Sequence, residues 1–331
     1  MKYFCKKDNK SQCLLCPRKC RLADGQRGFC SAVINRGGEL VFESYGFSSG
    51  VAIDPIEKKP LYHFYPTSKA LSFGTFGCNM GCRFCQNHHI SKHKFDINRS
   101  VAATPEQIVQ TAINYGCRSI AFTYNDPIVF FDYAVETAKI AHARNMKTVA
   151  VTAGYILPEP RKEFFSLMDA ANIDLKAFNP EFYKKFCLAD INYVLDTIKY
   201  VANETDCKLE LTTLLIEGLN DSSDELKCEF EWILHNLGAD IPLHLSAFHP
   251  DYKLLNKNRT SEQTLLTAYN LAKEAGLNYV YCGNILNQRM SLTSCPNCGF
   301  KLIERNGYNV NVTGLQQGKC GNCGHVIYGR F

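Results

Sequence analysis

Eleven of the 17 cysteines in this chain of 331 residues fall into three sets whose spacing suits the binding of metals. The central set has the spacing C-x3-C-x2-C and follows a short apolar segment. Three thiolates on one loop suit a cubane iron–sulfur cluster and leave one of its irons without a protein ligand. An open metal position is typical of a catalytic centre, whereas a structural site is closed by four ligands. We therefore predict a catalytic [4Fe-4S] cluster on Cys78, Cys82 and Cys85.

Two other interpretations use the same central residues. The cysteines could bind a zinc ion whose fourth ligand is His88 or His89, or the loop could hold buried thiols without a metal. The glycines Gly74, Gly77 and Gly81 favour the cluster, because they allow the tight turns with positive φ that wrap a backbone around it.

Another set of cysteines lies near the carboxyl end, in two C-x2-C-G repeats. Each repeat turns so that its two thiolates converge. Four thiolates with no open position predict a structural zinc ion, and a rubredoxin-like iron is the alternative. A tail of about 45 residues needs such a metal, because it is too small to build a sufficient apolar core. The ligands are Cys295, Cys298, Cys320 and Cys323.

The remaining set lies near the amino end, with the spacing C-x2-C-x3-C-x9-C, and consists of Cys13, Cys16, Cys20 and Cys30. Four thiolates can hold zinc or an auxiliary iron–sulfur cluster, and the spacing does not decide between them because both need the same ligands. A set without metal is a third interpretation. We interpret the six other cysteines as small buried hydrophobes, namely Cys5, Cys117, Cys187, Cys207, Cys228 and Cys282.

Short segments rich in Val, Ile, Leu, Phe, Tyr and Thr alternate with helical segments from about residue 70 to residue 285. Capping boxes predict helix starts at Thr104, Ser222 and Thr260. This alternation predicts an α/β fold with a parallel sheet. Because a closed eightfold barrel usually needs about 250 residues, we predict a partial (β/α) barrel, with a doubly wound open sheet as the alternative. The predicted strands are 71–75, 119–123, 147–152, 172–175, 208–215, 243–248 and 278–282.

Changes in residue composition and in the pattern of predicted strands and helices divide the chain into three parts. We predict a cysteine-rich N-terminal region over residues 1–65, a (β/α) barrel core over residues 66–285 and a zinc-ribbon-like tail over residues 286–331. The two flanking cysteine sets therefore belong to small metal-binding appendages of the barrel.

The composition is that of an ordinary globular protein, with 46% hydrophobic and 21% charged residues. A net charge of +5 is mild and does not indicate a nucleic-acid partner. No run of about 18 apolar residues predicts a membrane span, and the amino end lacks the apolar stretch of an export signal. We therefore expect a cytoplasmic protein, in which a reducing environment favours metal sites over disulfides.

The central spacing, with Phe84 directly before Cys85, resembles that of the radical S-adenosylmethionine (SAM) superfamily. The resemblance extends to the branch that contains the pyruvate formate-lyase activating enzyme and, within it, to the radical enzyme of the AmmeMemoRadiSam system. The segments that carry it are DPIEKKPLYHFYP (54–66), FGTFGCNMGCRFCQNHHIS (73–91), FTYNDP (122–127), NIDLKAFNPEFYKKFC (172–187), LELTTLLIEGLND (209–221), PLHLSAFHPDY (242–252), YVYCGN (279–284) and CPNCG (295–299).

The resemblance implies that the open iron binds the amino and carboxylate groups of SAM. An electron from the cluster then cleaves a C–S bond of SAM, and the resulting 5′-deoxyadenosyl radical removes hydrogen from a substrate. The implied partners are Memo-like and AMMECR1-like proteins and an electron donor such as flavodoxin or ferredoxin. An activase of a glycyl-radical enzyme is the alternative function, and a zinc-finger module that binds nucleic acid is a remote one.

The resemblance also implies contacts with SAM from Phe84 and from the loops after two predicted strands. Asn125 and Asp126 stand where relatives present a carboxylate to the SAM ammonium group, although Asp126 before a proline is also a turn signal. Asp126 is one methylene shorter than the Glu that is common there. Gly154 would allow the backbone to approach the cofactor closely.

Three more residues at strand ends complete the implied SAM site. Asp174 and Lys176 have a spacing of two, so both point to one face, and the resemblance places them near the ribose and methionine parts of SAM. His249 matches a position near the adenosyl group. The alternatives are a surface ion pair for Asp174 and Lys176 and a structural role for His249.

Overall fold

The computed structural model describes residues 1–285 and 288–331. Its N-terminal region consists of short strands: β1 (Phe4–Lys7), β2 (Lys10–Cys13), β3 (Arg21–Leu22), β4 (Val33–Arg36), β5 (Glu39–Phe42) and β6 (Phe47–Ser48). β1, β2 and β3 form an antiparallel sheet, and β4 pairs with β5. The buried side chains of these strands join the same apolar cluster as the central sheet, so this region packs directly on the barrel.

The following strands build the centre of the molecule: β7 (Gly50–Pro55), β8 (Lys69–Gly74), β9 (Val101–Ala102), β10 (Ser119–Phe122), β11 (Lys147–Thr152), β12 (Ala170–Asp174), β13 (Lys208–Leu215), β14 (Leu243–Ala247) and β15 (Val280–Gly283). All except β9, which pairs with β6, form one sheet in the order β15-β14-β13-β12-β11-β10-β8-β7. β8 and β10 to β15 run parallel, and β7 is antiparallel to β8. The edge strands β7 and β15 do not pair with each other. The predicted α/β fold with a partial barrel is therefore confirmed.

The helices that connect these strands are α1 (His88–Ser91), α2 (Pro105–Asn114), α3 (Phe131–Ala143), α4 (Pro158–Phe165), α5 (Pro180–Phe182), α6 (Ile191–Glu204), α7 (Ser223–Leu237) and α8 (Glu262–Ala275). A π-helical turn, Tyr183–Cys187, follows α5. None of the described helices is long and apolar enough to cross a membrane.

Two of the three predicted helix caps are confirmed. Thr104 forms a complete capping box with Gln107, and the Ser222 side chain accepts the hydrogen bond of the Glu225 amide. The predicted start at Thr260 is wrong by one residue, because Ser261 caps α8. The Thr260 hydroxyl is instead buried, where it donates to the Leu215 carbonyl at 2.5 Å.

The side chains of β13 alternate between the apolar core and the interior of the barrel. Along β13, Leu209 and Leu211 belong to the apolar core, while Thr212 and Leu214 line an internal cavity. Glu210 points to the same side as Thr212, because side chains alternate along a strand. It is 1% exposed and lies closer to the amino end of β13. The segment 56–66 contacts this end of the strand, because the amides of Tyr62 and His63 donate to the Glu210 carboxylate.

The C-terminal tail contains β16 (Thr293–Ser294), β17 (Lys301–Asn306), β18 (Asn309–Val312), β19 (Leu315–Gln316) and β20 (Lys319–Cys320). Its buried Leu302 and Ile303 form an apolar cluster with Tyr279 and Tyr281 of the barrel. The predicted three-part division of the chain stays a prediction, and its second boundary falls at residue 286, outside the described residues.

Candidate active site

A cavity of about 340 Å³ lies at the carboxyl ends of the parallel strands. Since these ends meet at one face of a (β/α) barrel, residues far apart in the sequence come together there. Eight of the ten predicted catalytic and cofactor-binding residues line this cavity, namely Cys78, Cys82, Phe84, Cys85, Asn125, Asp126, Asp174 and Lys176.

The loop of the three cysteines follows β8 directly and is shaped by backbone hydrogen bonds. The Gly77 amide donates to the Ile90 carbonyl at 3.0 Å, and the Cys78 amide donates to the Cys30 carbonyl at 3.1 Å. Gly77 has a φ of +86°, and a Cβ there would lie 2.1 Å from the Cys30 carbonyl oxygen. This position therefore requires glycine, as predicted for a loop that wraps around a cluster.

A fourth thiol, Cys187, lies against the central cysteines. It ends the π-helical turn, and its carbonyl accepts a hydrogen bond from the Gly81 amide at 2.8 Å. A hydrogen bond from the Cys187 thiol lowers the pKa of Cys82, although burial opposes the change. The positive charges of Lys176 and Lys92 act in the same direction. Cys82 is thus prepared to be a thiolate, the form that binds a metal.

The sequence interpretation of Cys187 as a buried hydrophobe is right about its burial, since it is fully buried. It misses the contact with Cys82, because no local spacing connects two residues so far apart in the chain. Cys187 is not among the residues that line the cavity, so the cavity presents three thiols.

Asn125 holds the cysteine loop in place. Its side-chain oxygen accepts from the Thr75 amide at 2.8 Å, and its side-chain nitrogen donates to the Gly77 carbonyl at 2.9 Å. Asn125 is 4% exposed. Most of its hydrogen-bonding capacity is therefore used within the protein, and Asn125 positions the loop that carries Cys78.

The Asp126 carboxylate is engaged by the protein on both of its oxygens. It accepts hydrogen bonds from the amides of Ile128 at 3.0 Å and Ala153 at 2.9 Å, and from the Thr152 hydroxyl at 3.0 Å. Burial raises the pKa of Asp126, while these hydrogen bonds favour its charged form. Asp126 therefore caps the turn that follows it and also lines the cavity. Its contact with the SAM ammonium group stays a prediction.

We expect Asp126→Ala to lower the free energy of unfolding by about 2–3 kcal/mol, because it leaves buried amide donors without a partner. Asp126→Asn should cost less, since one acceptor oxygen remains. Urea denaturation of both variants measures this. Unchanged stability with weaker SAM binding would instead show that the carboxylate serves the ligand.

Asp174 and Lys176 form an ion pair of 2.7 Å in the wall of the cavity. The side chains are 33% and 15% exposed, so the pair is not the exposed surface pair of the alternative interpretation. Burial alone lowers the pKa of Lys176, but the charges of Asp174 and the Cys82 thiolate, with a smaller influence of Cys187, raise it well above its usual value. Lys176 therefore brings a permanent positive charge to the cysteines.

Gly154 and His249 are not among the residues that line the cavity. Gly154 has a φ of +65°, and a Cβ there would lie 3.1 Å from the Ile173 side chain, so glycine is required for packing behind the wall. His249 is exposed, because β14 ends at Ala247 and the chain turns outward, and Ser246 faces the cavity from this strand. The predicted contact of His249 with the adenosyl group is not supported by this geometry.

The four cysteines of the tail form a compact set. Their sulfurs all lie within 4.8 Å of one another, with 3.6 Å between Cys295 and Cys323 and 3.7 Å between Cys298 and Cys320. A tetrahedral ion with metal–sulfur bonds of about 2.3 Å separates its ligand sulfurs by about 3.8 Å. The set could therefore hold one metal ion, and its identification as zinc stays a prediction.

We expect one zinc ion per chain at the tail cysteines and no SAM cleavage there. Replacing Cys298 and Cys323, which are exposed, with alanine should remove the zinc, because two ligands cannot retain it. Elemental analysis of the full chain measures the loss, with Cys228→Ala as an exposed cysteine control. A zinc content that the double substitution leaves unchanged would contradict this assignment.

The four N-terminal cysteines also come together, beside the central loop. All four are free thiols, and Cys13 is 8% exposed. A Cβ placed on Gly28 would lie 3.8 Å from the Cys20 sulfur and 3.6 Å from the Cys30 sulfur, so these two sulfurs flank one point of the backbone.

Comparison with known proteins places this geometry in a family. The model of the Radical SAM superfamily matches residues 73–227. An uncharacterized protein of Methanocaldococcus jannaschii is 43% identical over 322 residues, which cover 97% of this chain and 96% of the relative. At 97% of the chain, the match extends beyond the core into both flanking regions.

More distant relatives carry different names. A GTP 3′,8-cyclase of Limosilactobacillus fermentum is 26% identical over 70% of this chain and 74% of its own. A putative glycyl-radical enzyme activating enzyme of Methanocaldococcus jannaschii is 25% identical over 64% of this chain and 79% of its own. Among solved structures, a radical SAM methyltransferase of Sphaerobacter thermophilus has a TM-score of 0.53 at 16% identity, covering 66% of this chain and 67% of that one. That structural likeness concerns the fold alone.

Proposed function

This chain belongs to the radical SAM superfamily, and we propose that it cleaves SAM reductively at a [4Fe-4S] cluster bound by Cys78, Cys82 and Cys85. The supporting observation is that three free thiols and the Asp174–Lys176 ion pair face one cavity at the carboxyl ends of the strands. When bound, the cluster and SAM together supply a radical that removes hydrogen from a substrate.

The residues present fit both groups. The three thiols line the cavity and would hold three irons of a cluster, whose fourth iron would be left for SAM. SAM carries an ammonium, a carboxylate and a ribose, and the lining of the same cavity offers Asp174 as an acceptor and Lys176 as a donor. Asn125 holds the loop in place, and the charge of Lys176 adds to the hydrogen bond from Cys187 in lowering the pKa of Cys82. The chain itself thus orients the cofactor and encloses it in the protein.

We expect Asp174→Asn to weaken SAM binding about 10- to 150-fold, which corresponds to a charged hydrogen bond of about 1.5–3 kcal/mol. The iron content should stay that of the wild type, because the cysteines are untouched. Equilibrium binding of SAM to anaerobically reconstituted protein measures the change, and Asp206→Asn, on the exposed surface, is the matched control. Equal affinity in both variants would remove Asp174 from the site.

For the substrate, we propose a modification reaction carried out with Memo-like and AMMECR1-like proteins, as in the AmmeMemoRadiSam system, with flavodoxin or ferredoxin as the electron donor. The support is the resemblance of segments that span nearly the whole chain. A reducing compartment, the cytoplasm, suits a protein with 17 free thiols. The measurement is the rate of SAM cleavage with and without the two partner proteins, and an unchanged rate would contradict the partnership.

The second candidate function is the activation of a glycyl-radical enzyme. The relative named as a putative activating enzyme favours it. The 5′-deoxyadenosyl radical of an activase would remove a hydrogen atom from the Cα of a glycine in its partner protein, which gives 5′-deoxyadenosine and a glycyl radical. Electron paramagnetic resonance of reaction mixtures with a candidate partner would detect a glycyl radical, and such a signal would favour this function over the first.

A further inference from the structure

The four N-terminal cysteines differ in spacing from the four cysteines of the tail. Among the described residues, the tail set is the one group of three or more possible ligands whose atoms all lie within 4.8 Å of one another. The N-terminal set is therefore wider than a single tetrahedral ion allows, since such an ion holds its sulfurs about 3.8 Å apart. The central set, Cys78, Cys82 and Cys85, is wider in the same way.

The wider N-terminal set is nevertheless a converging one. The sulfurs of Cys20 and Cys30 flank Gly28, and the Cys13 amide donates to the Cys20 carbonyl at 2.9 Å. A turn brings Cys16 to the same place, because the Lys19 amide donates to the Cys16 carbonyl at 3.1 Å. The four free thiols are thus held close together by the backbone, and a cationic centre between them would stabilise them as thiolates.

In a cubane cluster each cysteine sulfur binds a different iron, so the sulfurs stand farther apart than around one ion. The central set, which matches the cluster-binding part of the superfamily, also falls outside the 4.8 Å limit that the tail set meets. The N-terminal set is like the central set in this respect and has a fourth thiol that could close a cluster.

The N-terminal set also contacts the central loop directly. The carbonyl of Cys30 accepts the hydrogen bond of the Cys78 amide at 3.1 Å, so one hydrogen bond joins a ligand of one set to a ligand of the other. The Arg18 guanidinium, from the same N-terminal loop, donates to the carbonyl of Asn79 at 2.5 Å and to that of Leu188. These contacts hold the two cysteine sets side by side.

We propose that Cys13, Cys16, Cys20 and Cys30 bind a second iron–sulfur cluster, next to the cluster of the central cysteines, and not a zinc ion. The assignment goes beyond the proposed function, because it concerns a site that SAM does not need to contact. Acid-labile sulfide distinguishes a cluster from a single ion at either flanking set, since a single ion brings no sulfide.

The test is the iron and sulfide content of the full chain after anaerobic reconstitution. We expect the Cys78→Ala/Cys82→Ala/Cys85→Ala variant to retain about four sulfides, as a cubane [4Fe-4S] cluster requires. Wild-type protein should hold about four more than this variant. Replacing Cys13 and Cys20 with alanine should remove the sulfides of the N-terminal set, and Cys5→Ala, an exposed neighbour, should remove none.

Two results would overturn the proposal. One is a variant of the three central cysteines that contains zinc at the N-terminal set and no sulfide. The other is wild-type protein with about four sulfides in total, which does not depend on the folding of any variant. Failure of the proposed function has a different signature, namely a loss of SAM cleavage in protein that holds both clusters.

Discussion

Replacing Cys78, Cys82 and Cys85 together with alanine should abolish the formation of 5′-deoxyadenosine from SAM. The three thiols line one cavity with the Asp174–Lys176 pair, and no other cysteine of the described residues lines that cavity. Without them, the catalytic cluster has no ligand, and the loss should be complete to the background of the assay. The measurement is 5′-deoxyadenosine released from SAM under anaerobic conditions with a chemical reductant.

Cys187→Ala is the matched control for the triple substitution. Cys187 contacts Cys82 but does not line the cavity, so this variant should keep its iron and still cleave SAM. Its comparison with the triple variant separates a cluster ligand from a neighbouring thiol. A triple variant that forms 5′-deoxyadenosine at the wild-type rate would show that the cluster is held elsewhere.

Replacing Glu210 with alanine should lower the free energy of unfolding by about 3–5 kcal/mol, as expected when one partner of a buried charged pair is removed. The carboxylate accepts hydrogen bonds from the amides of Tyr62 at 3.0 Å and His63 at 2.7 Å, and it pairs with the His244 ring at 2.6 Å. The substitution leaves all of these groups buried without their partner. Chemical denaturation measures the change, and Glu231→Ala on the exposed face of α7 should stay within about 0.5 kcal/mol of the wild type.

This network also ties the tail to the barrel. The His63 ring bonds to the Tyr281 hydroxyl at 2.6 Å and to the Tyr328 carbonyl at 2.7 Å. Burial lowers the pKa of His63 to about 4, from 6.5, so the folded protein favours the neutral ring. The unfolded chain binds this proton more readily, and the folded state should therefore lose stability as the pH falls from about 6.5 to about 4.

Glu210 adds to the loss of stability in acid. Burial would raise its pKa, but the hydrogen bond and the charge of His244 bring it below the usual value. Its contribution is present above the ordinary pKa of a glutamate and is lost as the pH falls through the lowered value. A wild-type protein whose unfolding free energy does not change between pH 6.5 and pH 4 would contradict the account given for His63.

The sequence by itself determined the cysteine sets, the order of the seven parallel strands, and two of three helix caps, because these depend on residues close together in the chain. It did not determine which groups bond to the Asp126 carboxylate, that Cys187 meets Cys82, or that His249 is exposed outside the cavity. Those features depend on the tertiary structure, since contacts between distant residues follow from strand register and loop conformation. The spacing of cysteines along the chain indicates which metal group they could bind. Tertiary packing decides which carboxylate oxygens and thiols are free to contact a bound molecule.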